Sequence, residues 1–235
     1  IRRQRQMCIR DSDEIVFTSG GTESDNTAIR QAAALGASAG KRRVVASAIE
    51  HPAVLNTCRA LEKSGFEVKY IGVDGGGYVD MEQARKLITP ETAVVSVMAA
   101  NNEVGTIQPI RELAALCRER GVLFHTDAVQ AAGHIPLDVR ELGCDMMSVS
   151  AHKLGGLRGA GLLYIRRGLE LQPLICGGGQ ENGLRSGTEN TAAIVSMGAA
   201  MEYACGDING RSERISALRD RLVAGLLESS GSRLN

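Results

Sequence analysis

The sequence predicts an α/β fold, a mostly parallel seven-stranded sheet flanked by helices, and three observations carry that prediction. From Glu14 onward, short apolar runs alternate with longer segments of helical period. The short runs are continuous and rich in β-branched residues, the pattern of strands covered on both faces. With 235 residues, 43% of them hydrophobic and 23% charged, the chain can bury a sizeable core.

The elements follow in order. Ile15-Val16-Phe17 marks a strand over 15–18, and the helical period resumes over 23–35. Apolar runs then place strands over 43–46, 67–71 and 93–98, separated by helices over 53–64 and 81–87. A helix over 110–120 leads into strands over 123–125, 146–150 and 161–165, and helices over 191–203 and 211–227 close the sequence. The opening 1–13 carries arginines without an amphipathic period and is expected to be a non-native or disordered leader, with a basic nucleic-acid arm as the competing reading.

Composition narrows the function. Lys plus Arg and Asp plus Glu both number 27, so no net field recommends nucleic acid or an anionic membrane, and a small ligand is expected. Six cysteines (Cys8, Cys58, Cys117, Cys144, Cys176, Cys205) include no CxxC pair and are expected to be reduced, buried thiols of a cytoplasmic protein, neither disulfides nor a metal site. There is no apolar run of membrane-spanning length.

In open α/β sheets ligands bind at the carboxyl ends of strands, so the loops there are the candidates. Ser19-Gly20-Gly21-Thr22-Glu23 joins a strand to a helix, where small residues and free N–H groups suit an anion such as phosphate. A simple glycine turn with a threonine cap would look the same. His51 opens a helix after a strand; it is either a cap or a ring that stacks on a flat cofactor and moves protons near neutral pH. Asn101-Asn102 is either a turn or an amide donor to such a ring. Asp127 ends an apolar strand, where an unpaired carboxylate is costly, so a cation is expected beside it: a protonated pyridine nitrogen, or a structural Arg or Lys. Gln130 is placed to reach the ring oxygen or the phosphate arm. Lys153, next to His152 and ahead of Gly155-Gly156, sits where burial would lower its pKa and leave a nucleophilic amine; the alternative is a surface lysine. Together these are the parts of a pyridoxal phosphate site.

Phe17 to Ser24, Glu50-His51, Asn101 to Gly105, His125 to Gln130, Ser150 to Lys153 and the run Arg185-Ser186-Gly187-Thr188-Glu189-Asn190 together resemble the cysteine desulfurases of the NifS/IscS branch, within the class V aminotransferase superfamily. The resemblance implies the large domain of the fold type I pyridoxal phosphate-dependent transferases over 14–207, and over 208–235 the start of a small domain that the sequence does not finish. It implies that Lys153 bonds the cofactor, Asp127 pairs with the pyridine nitrogen and His51 stacks on the ring. Gly21, Thr22, Ser150 and His152 would hold the phosphate, and Asn102 and Gln130 would contact the ring oxygen. Thr188 would reach the phosphate of a neighbouring subunit, implying a homodimer. The implied reaction takes sulfur from L-cysteine, leaves L-alanine and an enzyme-bound persulfide, and serves iron-sulfur scaffolds or tRNA-thiolation partners. The family's persulfide cysteine is expected beyond Asn235, so this polypeptide alone is expected not to complete the reaction. A selenocysteine lyase, another enzyme of the superfamily, or an inert cofactor-domain fragment are the alternatives.

Overall fold

The computed structural model describes residues 12–229 and 231–232. The expected leader thus lies outside the described residues as far as residue 11, and Ser12–Glu14 form one turn of 3-10 helix. The seven expected strands are present: β1 (Ile15–Thr18), β2 (Arg43–Ser47), β3 (Glu67–Ile71), β4 (Thr92–Ser96), β5 (Leu123–Asp127), β6 (Met146–Ser150) and β7 (Gly161–Ile165). They form one sheet in the order β1-β7-β6-β5-β4-β2-β3. β2 through β6 pair in parallel, and β7 runs against both its neighbours, so the sheet is mostly parallel.

The helices are α1 (Gly21–Ser38), α2 (Pro52–Lys63), α3 (Met81–Leu87), α4 (Ile110–Glu119), α5 (Val139–Leu142), α6 (Thr191–Gly206) and α7 (Ile208–Leu227). α5, a single turn capped by Asp138, was not expected because four residues cannot express a helical period. Two apolar cores cover the two faces of the sheet. On one face Val95, Phe124, Met147, Val149 and Leu162 pack with Leu113 and Cys117 of α4 and Met197 of α6. On the other, Val44, Ala46, Val94, Met146 and Leu163 pack with Ala28, Ile29, Ala32 and Ala33 of α1 and with Val54, Cys58 and Leu61 of α2. The helix α1 lies close on the sheet: a Cβ at Gly36 would stand 2.3 Å from that of Ala93.

The α1 face departs from the continuous apolar runs read in the sequence. Side chains alternate across a strand, and at the carboxyl ends of β4, β5 and β6 that alternation brings Ser96, His125, Asp127, Ser148 and Ser150 to the α1 side. All five are buried. This polar floor positions the site.

The cysteines differ partly from expectation. Cys58, Cys117 and Cys144 are buried, and burial pushes their thiols up to about 12. Cys176, however, is exposed and Cys205 half-buried, because they lie in a glycine-rich loop and on the outer part of α6. Cys8 lies outside the described residues. α7 buries none of its residues and leaves Ile215, Leu218, Leu222 and Leu226 exposed at helical spacing. No described helix is long and apolar enough to cross a membrane.

Candidate active site

A cavity of about 360 Å³ opens at the carboxyl ends of β5 and β6 and the start of α1. Gly21, Thr22 and Asp25 of α1 line one side, His51 and Asn102 another. Asp127, Val129 and Gln130 follow β5, and Ser150, His152 and Lys153 follow β6. Nine of the ten residues expected at the site therefore converge. Thr188 does not join them: it lines a separate cleft with Phe17, Thr18, Glu181 and Arg185.

Each group is placed by local structure. α1 starts without a side-chain cap at Gly20, and its first intrahelical donor is Ser24 N–H, which reaches the Gly20 carbonyl at 3.1 Å. The N–H groups of the first turn therefore face the cavity end, where the helix dipole favours an anion. Gly21 is required by close approach: a Cβ there would meet Val129 Cγ2 at 2.7 Å. Glu23 turns back and accepts the Ser19 N–H at 2.8 Å. Burial works against the Glu23 charge, yet the Arg185 guanidinium, 2.9 Å away, and the Ser19 donor hold its carboxyl below the ordinary range. Arg185 is thereby committed to Glu23. We expect Gly21→Ala to cost about 1–3 kcal/mol through overpacking against a stiff β-branched neighbour, seen as a fall in thermal midpoint. An unchanged midpoint would show that Val129 moves aside freely.

His51 is the N-cap of α2, and its Nδ1 accepts the Ala53 N–H at 3.1 Å. That bond fixes the ring's orientation and leaves Nε2 as the nitrogen that carries the hydrogen in the neutral form. Asp127 is 5% exposed, and its Oδ1 accepts the Val129 N–H at 2.8 Å. Burial raises its pKa, while the Val129 donor and the nearby His51 pull the other way. The Ser150 hydroxyl and His152 Nδ1 lie 2.8 Å apart. Burial, with the charges of Lys153 and Arg158, lowers the His152 pKa and favours its neutral ring.

Lys153 corrects the sequence expectation in one respect. It is exposed rather than buried, because β6 ends at Ser150 and a 3-10 turn over Ala151–Lys153 lifts it off the sheet to the cavity wall. Among the described residues it is the lysine that lines the cavity.

Beneath these groups lies a layer that sequence reasoning missed. Asp25 is 1% exposed and its Oδ1 has no hydrogen-bond partner. It stands 3.7 Å from Nε2 of His125, a ring held between the Ser96 and Ser148 hydroxyls at 2.9 Å each. Burial lowers the His125 pKa to about 3, so the ring is neutral. Glu50 is buried too; its Oε1 accepts from the Ser47 hydroxyl and from the Met98 N–H, and its Oε2 has no partner. Burial raises its pKa to about 8. The available signal was polar residues at every second position of three adjacent strand ends.

A family model described as aminotransferase class-V matches residues 4–235. The chain belongs to the class-V aminotransferase family. It is 52% identical over 234 residues to a protein named cysteine desulfurase from Gluconacetobacter diazotrophicus, covering 98% of this chain and 58% of that one. A solved NifS-like protein superposes with a TM-score of 0.92 at 42% identity, covering 97% of this chain and 62% of that one. A second, SspA in complex with cysteine, gives 0.80 at 41%, covering 86% and 58%. The chain spans about half the length of the curated relatives it matches.

Class-V family members depend on pyridoxal phosphate, and the residues of this cavity fit that group. A helix start whose glycine leaves no room for a side chain suits the phosphate, a lysine stands on the wall, and a buried carboxyl on the cavity lining suits a cation. The volume lies within the range of small-molecule sites.

Proposed function

We propose that this chain is the cofactor-binding part of a pyridoxal phosphate-dependent cysteine desulfurase of the NifS/IscS branch. The observation that carries the proposal is the convergence of Lys153, Asp127, His51 and the start of α1 on one cavity. When bound, pyridoxal phosphate supplies an electron sink that stabilises negative charge at the α-carbon of an amino acid. Asp127 would hold the cationic end of the cofactor, which would in turn favour its ionised carboxyl. Lys153 Nζ would be the amine that attaches the cofactor. His51, pinned through Nδ1, would offer Nε2 for proton transfer. Gly21, Thr22, Ser150 and His152 would bind the phosphate, and Asn102 and Gln130 would contact the ring oxygen.

L-Cysteine is the proposed substrate, in keeping with the desulfurase name of the relative and the cysteine complex of SspA. Residues 14–207 form the cofactor domain, and 208–235 open a second, smaller one. The exposed apolar stripe on α7 supports that boundary, since such a stripe seeks cover. A homodimer in which Thr188 completes the partner's phosphate site, transfer of sulfur to scaffold or other acceptor proteins, and a cytoplasmic location complete the proposal. The cleft that holds Thr188 apart from its own cavity supports the exchange.

None of the five described cysteines lines the cavity. L-Cysteine added to the cofactor-loaded chain is therefore expected to alter its visible spectrum, while sulfide and alanine stay at background. Sustained alanine release would place the sulfur-accepting thiol within this chain; an unaltered spectrum would reject cysteine as the substrate.

A further inference from the structure

Three carboxyls crowd the inner wall of the cavity. Asp25, Glu50 and Asp127 are all buried, and the electrostatics of each involve at least one of the others. The groups facing Asp25 are Asp127 and His125 from β5, Glu50 and His51 from the segment between β2 and α2, and His152 and Lys153 beyond β6. Glu23 on its own helix is paired with Arg185. Three like charges at such spacing cannot all be ionised. Among the described residues no group of three or more His, Cys, Asp or Glu is arranged to hold a metal ion.

We infer that Asp25 is a positioning residue that carries a proton, leaving Asp127 as the one anion of the pair beneath the cofactor ring. Three differences between the two carboxyls decide which is ionised. Asp127 accepts a backbone N–H at 2.8 Å, is 5% exposed against 1% for Asp25, and feels the nearby His51. The Asp25 Oδ1 has no donor, and the neighbouring His125 is neutral between two serine hydroxyls. Burial, then the Asp127 charge and, more weakly, Glu50 raise the Asp25 pKa, against a smaller opposing effect of the Ser148 hydroxyl. N–H donors stabilise a carboxylate, while desolvation without them favours the acid. The proton on Asp25 thus confines a single negative charge to the place where the ring nitrogen needs it. This inference rests on the pyridoxal phosphate site proposed above.

Infrared spectroscopy of protein labelled with 13C at the aspartate carboxyl, recorded without cofactor at pH 7, reads the proton directly. An aspartic-acid carbonyl stretch is expected, and Asp25→Asn is expected to diminish it. Absence of the stretch in the wild type, or its survival undiminished in D25N, overturns the inference. If D25N fails to fold, Asp127→Asn takes its place: the stretch is expected to survive there, and its loss would assign the proton to Asp127 and overturn the inference. The second measurement is cofactor affinity from the visible band. D25N, a neutral isostere, is expected to bind close to wild type, whereas Asp25→Leu lowers affinity about tenfold or more. Equal damage by both would mean that the charge on Asp25 is needed, and would overturn the inference. A wild type that develops no visible band would sink the cofactor assignment and leave the infrared result to judge the proton.

Discussion

Replacing Lys153 with alanine is expected to abolish the visible absorbance that the wild-type protein acquires with pyridoxal phosphate, and to leave the fold intact. The lysine stands on a 3-10 turn past the end of β6, where it is exposed and lines the cavity. Its backbone is secured independently, through Leu154 N–H to the Ala151 carbonyl at 3.0 Å and Ala151 N–H to the Ala160 carbonyl at 3.1 Å. Truncating an exposed side chain changes stability by roughly 0.5 kcal/mol or less. The cofactor then remains only through non-covalent contacts, and retention after desalting falls more than about tenfold. Absorbance before and after desalting, with a thermal melt as control, checks both halves. A band that persists in K153A would assign the amine to another residue and dismantle the site as described.

The largest expected effect on stability comes from Glu50→Gln, and it depends on pH. In the folded state burial raises the Glu50 pKa from 4.5 to about 8. A carboxyl with a raised folded pKa binds a proton more tightly folded than unfolded, so its stabilising contribution is complete below 4.5. That contribution is lost as pH rises through about 8. The loss amounts to on the order of 4–5 kcal/mol. Glutamine does not titrate, and its carbonyl can keep the bonds from Ser47 and Met98. Wild type and E50Q are therefore expected to unfold at similar urea concentrations near pH 5. Near pH 9 the variant should be the more stable by several kcal/mol. Parallel stability profiles across that range would show that folding does not raise the Glu50 pKa.

Most of the fold was legible because its strands are short apolar runs and its long helices express a clear period. Every expected strand exists, although the run at 93–98 is assigned to β4 only as far as Ser96. The reversed direction of β7 was not legible, since a continuous apolar run such as Gly161–Ile165 reads the same both ways. At the site, the residues on loops were found because loops at strand ends carry recognisable chemistry. Asp25 and His125 were missed as functional groups because a helix interior and a strand interior gave no reason to expect chemistry there. Their meaning lies in the facing of β5 and β6 toward α1, a tertiary fact. The exposed position of Lys153 was missed for the same kind of reason: its height above the sheet is set by the turn that follows Ser150.

The reversed strand also separates the molecule into a working rim and a free one. Gly161, the first residue of β7, sits beside Ser150 and Thr18 next to the cavity, so Ile165 ends at the opposite edge of the sheet, roughly 15 Å away. The turn that follows, at exposed Gly168 with φ 84°, can accept an inserted peptide tag or a surface-attachment handle. Such an attachment would tether the protein with its chemistry facing outward.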